Sequence, residues 1–158
     1  MTDSRSDVTR YAFRLLSYRG RSENELRERL ARKGFSADAV SRTLLHLKEA
    51  GFIDDAALAL DLKRQALGQK KLGYGAARSF MQKRGLPRNL VEATLGYDED
   101  VELDNARDLL RKKRKCVENY LTTKEKKRLY DYLSRRGFSA SVISKVLRDF
   151  ESDEREEG

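Results

Sequence analysis

The 158-residue chain has one cysteine, one histidine, one proline and no tryptophan. A lone cysteine excludes an internal disulfide and a Cys-rich zinc site, and makes a reducing compartment the natural expectation. With a single His beside it, nucleophile–histidine pairs and metal sites have little to be built from. No apolar run approaches the ~18–20 residues of a membrane span, and residues 1–10 lack the apolar core of a secretion signal. No Gly-rich phosphate loop or nucleophile–base set stands out either. The expectation is a cytoplasmic chain that is not an enzyme, takes no cofactor or metal, and has no membrane partner.

What is present is charge. Thirty-four Lys+Arg face twenty-six Asp+Glu, a formal +8. The surplus is uneven: residues 55–97 hold eight bases and three acids, whereas 151–158 hold one base and five acids. A basic body suits a polyanionic partner, either nucleic acid or an acidic protein surface. The plainer reading is a set of solvated helix faces, because net charge speaks to solubility before it speaks to partners.

Glycine punctuates the chain in a repeat. Leu30-Ala31-Arg32-Lys33-Gly34-Phe35, Met81-Gln82-Lys83-Arg84-Gly85-Leu86 and Leu133-Ser134-Arg135-Arg136-Gly137-Phe138 superimpose, with the glycines 51 and 52 residues apart. Val40, Val91 and Ile143 follow six residues after each glycine, and Leu44, Leu95 and Leu147 ten after. Each block has the form of a helix end closed by a left-handed glycine, the next residue packing back onto the helix: Phe35 on Leu30, Leu86 on Met81, Phe138 on Leu133. Ser36 and Ser139 then suit an N-cap, and Pro87 the first turn of a helix.

The remaining helices fill the units. Ser22–Glu25 and Thr122–Glu125 read as capping boxes, whereas Gly73-Tyr74-Gly75 is a looser start. Amphipathic runs precede each: Val8, Tyr11, Ala12, Leu15 and Leu16; then Leu58, Ala59, Leu62 and Ala66 after caps at Asp54 and Asp55; then Val101, Ala106, Leu109 and Leu110. The pattern predicts an all-α fold of nine helices in three tandem three-helix, helix-turn-helix-like repeats, forming an elongated, curved array. Glycine turns are expected at Gly34, Gly51, Gly68, Gly85, Gly96 and Gly137. Repeat boundaries fall at 1–53 (with an arm at about 1–7), 54–97 and 98–150, and 151–158 reads as a disordered acidic tail. Units this short are marginal alone, so stacking is expected to share their cores.

Several blocks resemble the RecX family of recombinase-regulatory proteins. They are Ala12–Leu16 with Tyr18-Arg19-Gly20-Arg21-Ser22-Glu23-Asn24-Glu25-Leu26, then Leu30, Lys33-Gly34-Phe35, Leu47, Gly51-Phe52-Ile53-Asp54-Asp55, Leu58-Ala59 and Lys71-Leu72-Gly73. Phe52-Ile53 and Leu58-Ala59 depart mildly from the family pattern, and the third repeat matches in pattern rather than in motif. The resemblance implies a monomeric modulator that binds the RecA protein and its filament on single-stranded DNA. It would restrain filament extension, ATPase, strand exchange and coprotease activity. Some members also bind DNA. A tandem helix-turn-helix protein acting directly on duplex DNA is the alternative that the repeats and charge also suit.

Contacts to a phosphate or acidic surface need exposed cations. The candidates are Arg19, Arg21, Arg27, Arg32 and Lys33 in the first repeat, and Lys63, Arg64, Lys70, Lys71, Arg78, Lys83 and Arg84 in the second. Tyr74, between two glycines, suits stacking on a partner or anchoring its own loop. Arg111–Lys115 reads as a nucleic-acid patch or as a helix end favoured by the dipole. Asp54-Asp55 reads as capping rather than catalysis. His46 is expected on an outer helix face and Cys116 at a helix end.

Overall fold

The computed structural model describes residues 4–114 and 121–156, and among these it is all-helical. The first three helices are α1 (Arg5–Tyr18), α2 (Glu23–Lys33) and α3 (Ala37–Glu49). The middle three are α4 (Asp55–Lys63), α5 (Tyr74–Lys83) and α6 (Arg88–Leu95). The last three are α7 (Glu99–Arg114), α8 (Thr123–Arg135) and α9 (Ala140–Glu156). Among the described residues the nine expected α-helices are therefore present.

The glycine blocks close helices as the sequence implies. In the first, the Gly34 N–H donates to Ala31 at 3.0 Å and the Phe35 N–H to Leu30 at 3.3 Å. In the third, Gly137 donates to Ser134 at 3.0 Å and Phe138 to Leu133 at 3.2 Å. These paired bonds satisfy carbonyls that a helix end leaves orphaned. Ser36 and Ser139 accept from the N–H groups of Ala39 and Val142, and Asp54 accepts from Ala57.

The stretch after α4 departs from the expectation. Gly68 is not a turn; it lies inside a π-helical segment, Arg64–Gln69, that continues α4. The residue with positive φ is Lys71, at +53°, the one non-glycine of that kind among the described residues. A π turn adds a residue to the helical register, and the excess is absorbed by one left-handed residue before Gly73. At the ends, α1 begins at Arg5, inside the expected arm, and α9 runs to Glu156 through most of the expected acidic tail. Residues 157–158 lie outside the described residues, as do Lys115 and Cys116.

Packing groups the chain into two compact units: residues 1–62 with 81–94, and 63–80 with 95–158. The middle repeat is thus divided between them. The first unit has a core of Val8, Ala12, Leu15, Leu26, Leu30, Val40, Leu44, Leu47 and Ile53. The second has one of Leu103, Ala106, Leu109, Leu110, Leu133, Phe138, Val142, Ile143 and Val146. Each core draws on the apolar face of three successive helices, the same solution reached twice.

Candidate interaction surface and arginine cluster

The charged side chains do two jobs, and the first is to join one repeat to the next. Within the first unit, the Ser22 hydroxyl before α2 donates to the Arg84 carbonyl at 2.7 Å, and Asn24 donates to the Gly85 carbonyl at 3.1 Å. Arg84 reaches back to the Gly20 carbonyl at 3.0 Å. The N–H of Glu23, first residue of α2, is accepted by Asp55 at the start of α4 at 3.0 Å. Burial outweighs these contacts and raises the Asp55 carboxyl above its ordinary value.

The second unit repeats the device one repeat later. Gly73 donates to the Arg136 carbonyl at 2.9 Å and Gly75 to the Gly137 carbonyl at 3.2 Å. Arg136 reaches back to the Lys70 carbonyl. The N–H of Tyr74, first residue of α5, is accepted by Glu102 of α7 at 2.6 Å. In both units the following repeat supplies an acid for the middle helix's first N–H, a glycine turn that docks beside it, and an arginine that clasps the preceding loop.

Helix α8 is capped from within instead. Its box is complete: Thr122 Oγ1 accepts from the Glu125 N–H, and the Glu125 carboxylate accepts from the Thr122 N–H at 2.7 Å. The box read at Ser22–Glu25 is only half formed, for a reason visible in the charges. Ser22 accepts from the Glu25 N–H, but the Glu25 carboxylate is turned toward arginines.

That cluster gathers several arginines of the first unit around Glu25. Arg19 approaches the two Glu25 oxygens at 2.5 and 3.2 Å. Arg21 pairs with the same carboxylate. Arg29 Nε lies at 3.4 Å and Arg84 Nε at 3.9 Å. Four guanidinium groups therefore converge on one carboxylate. Burial, then the like charge of Arg19, hold the Arg84 guanidinium below its ordinary pKa. Its Nε is buried without a hydrogen-bond partner.

Several sequence candidates make contacts within the chain. Arg21 is 8% exposed, and its Nε donates to the Leu15 carbonyl at 2.9 Å, so the expectation that it is exposed is corrected. Arg27 pairs with Glu23 and donates to Ser41. Lys71 pairs with Asp108 at 3.5 Å. Tyr74 is half-buried, its ring edge-on to Tyr97 at 5.6 Å, which favours the loop-anchor reading. Lys63 and Arg78 are half-buried and Arg64 is exposed.

Among the other sequence candidates, Arg32, Lys33 and Lys83 in the first unit and Lys70 in the second are also exposed. Lys33 lies over the Tyr11 ring and Lys70 over Phe80. Sequence reasoning missed Arg29 and Arg136, which carry the cluster and the second joint. Their signal was available, since Arg29 stands four residues after Glu25 and Arg136 is the counterpart of Arg84. His46 is exposed on α3, as expected, beside a groove of about 370 Å³ shared with Arg5, Arg42 and Leu45. Among the described residues no group of His, Cys, Asp and Glu is placed to hold a metal, and no helix is long and apolar enough to cross a membrane.

These features define a class: a tandem three-helix-repeat protein whose charges build joints and a basic surface. Residues 10–47 match the family model for the first three-helix domain of RecX, and residues 100–147 match the model for the third. The regulatory protein RecX of Deinococcus radiodurans is 34% identical over 161 residues, spanning 98% of this chain and 76% of its own length. That of Thermotoga maritima is 33% identical over 144 residues, spanning 91% and 84%. The crystal structure of RecX from Lactobacillus salivarius superimposes with a TM-score of 0.78 at 21% identity, covering 94% of this chain and 97% of that one. The chain belongs to the RecX family of regulatory proteins.

Proposed function

We propose that this protein binds the RecA recombinase on single-stranded DNA and restrains it, limiting filament extension, ATPase, strand exchange and coprotease activity. The observation that carries the reading is membership of a regulatory family along both outer repeats, joined to exposed cations on each unit, Arg32, Lys33 and Lys83 on the first and Lys70 on the second. Binding, not chemistry, is the whole of the mechanism: the cations meet the acidic or phosphate groups of the filament, and occupancy blocks its growth. The protein acts as a monomer in the cytoplasm, needs no cofactor and catalyses nothing itself.

The test is the DNA-dependent ATPase of the cognate RecA. Substoichiometric protein is expected to slow it. Charge reversal of Arg32 and Lys33 together, or of Lys70 alone, is expected to weaken the effect with helicity unchanged. No effect of the parent protein on ATPase or on filament length would overturn the proposal. Tight, sequence-dependent binding to duplex DNA without RecA would favour a directly DNA-binding repeat protein instead.

A further inference from the structure

We propose that the arginine cluster around Glu25 is a binding site for the phosphates of a single-stranded nucleic acid, an inference that rests on the filament reading above and names its DNA-facing site. Four guanidinium groups share one carboxylate, with Asp61 the other acid that acts on Arg84, which leaves positive charge in excess around Glu25. A carboxylate offers about four lone-pair positions, whereas each guanidinium carries five N–H donors. Glu25 therefore satisfies only a minority of the donors gathered around it.

The four arginines are not equivalent. Arg21 is buried and committed to Leu15 and Glu25. Arg84 is held by the Gly20 carbonyl, and its buried Nε lacks a hydrogen-bond partner. Arg19 and Arg29, with side chains 39% and 44% exposed, form the open mouth. Buried Arg21 and half-buried Arg84 thus fix a positive potential under two donors that an outside anion can reach. Phosphate suits such a mouth, because a guanidinium meets its oxygens two at a time in a planar fork.

A strand, rather than a lone ion, is favoured by what continues from the mouth. Arg29 is followed along α2 by Arg32 and Lys33, three and four residues on and both exposed. At that spacing they share its helix face, one turn or roughly 5–6 Å further along the axis. Cations in file match an anion whose charges are in file. Neutralising them releases counterions from the strand, which gives the interaction a strong salt dependence.

The test is the affinity of the full-length chain, without RecA, for a fluorescent single-stranded oligonucleotide across a salt series. Arg29→Glu is expected to weaken binding about tenfold or more, the scale of one charge-assisted hydrogen-bonded pair. It should also flatten the salt slope by about 0.7, the share of one single-strand phosphate. Arg29→Lys should restore most of the slope. Arg42→Glu, on α3 and outside the cluster, should change neither. Circular dichroism melts confirm that each variant is folded.

Oligonucleotide binding by the parent with Arg29→Glu indistinguishable from it would overturn the site. Competition by inorganic tripolyphosphate as strong, per phosphate, as by the oligonucleotide would overturn the strand as ligand. A parent that slows the RecA ATPase yet binds no oligonucleotide would overturn this inference and leave the proposed function standing. A parent that binds the oligonucleotide through Arg29 but leaves RecA untouched would do the reverse.

Discussion

Ser22 Oγ stands 2.4 Å from where a Cβ on Gly85 would lie. The same hydroxyl donates to the Arg84 carbonyl and accepts from the Glu25 N–H, so it has no freedom to retreat. One repeat later the contact is tighter still. A Cβ on Gly137 would meet the backbone nitrogen of Ala76 at 2.3 Å. Both glycines have positive φ, so each is required twice, once by its own backbone and once by the neighbouring repeat.

Gly34 and Gly137 should therefore respond differently to alanine. Gly34 has positive φ but nothing within 4 Å of a Cβ, so Gly34→Ala is expected to cost only the ~1–2 kcal/mol of a left-handed alanine. Gly137→Ala adds a backbone collision and is expected to cost about 3–5 kcal/mol. Urea denaturation of the two variants checks the order. Equal losses would mean that the joint yields freely.

How much of this was legible beforehand follows from sequence separation. The helix ends at Gly34 and Gly137 were readable because their bonds span five residues or fewer. The joints were not, because Ser22 and Arg84 are 62 residues apart and Lys70 and Arg136 are 66 apart. Periodicity also gives no sign of the π turn, so the sequence predicts a turn at Gly68 and an exposed contact residue at Lys71. Arg21 was misjudged because arginine is usually exposed. Its burial depends on the Leu15 carbonyl and on Glu25, both supplied by the fold.

Removing Glu25 tests whether it holds the cluster together. Glu25→Ala strands a nearly buried Arg21 beside three other cations, and breaking a buried pair costs about 3–5 kcal/mol. Since Arg19 and Arg29 are partly exposed, a loss of about 2–4 kcal/mol is expected, larger at low salt than at high. A thermal melt series in increasing salt reads both the loss and its screening. A loss below ~1 kcal/mol would mark the pairs as mere surface bridges.

The last capping box makes a pH prediction. The Thr122 N–H and hydroxyl donate to the Glu125 carboxylate and lower its pKa from the ordinary glutamate value. A carboxyl depressed in the folded state contributes stability that is fully present above its unfolded pKa and lost as pH falls through the folded one. The start of α8 is therefore expected to fray as pH falls below the usual carboxylate range. Carboxyl NMR titration should place Glu125 low in the parent, and Thr122→Ala, which removes the hydroxyl but keeps the backbone N–H, should bring it only part of the way back. An unshifted parent value would remove the box as a source of stability.

Lys71 offers the opposite kind of test, a substitution that stabilises. Its φ of +53° costs a side-chain-bearing residue about 1–2 kcal/mol relative to a conformation it prefers. What it gains locally is the pair with Asp108, with both side chains partly exposed and worth a few tenths of a kcal/mol. Lys71→Gly removes the steric cost but adds freedom to the unfolded chain, which returns part of the gain. The net expectation is about 0.5–1 kcal/mol of added stability, seen as a higher urea midpoint at unchanged slope. A lower midpoint would show that the Asp108 pair, rather than the backbone, governs the segment between the π turn and α5.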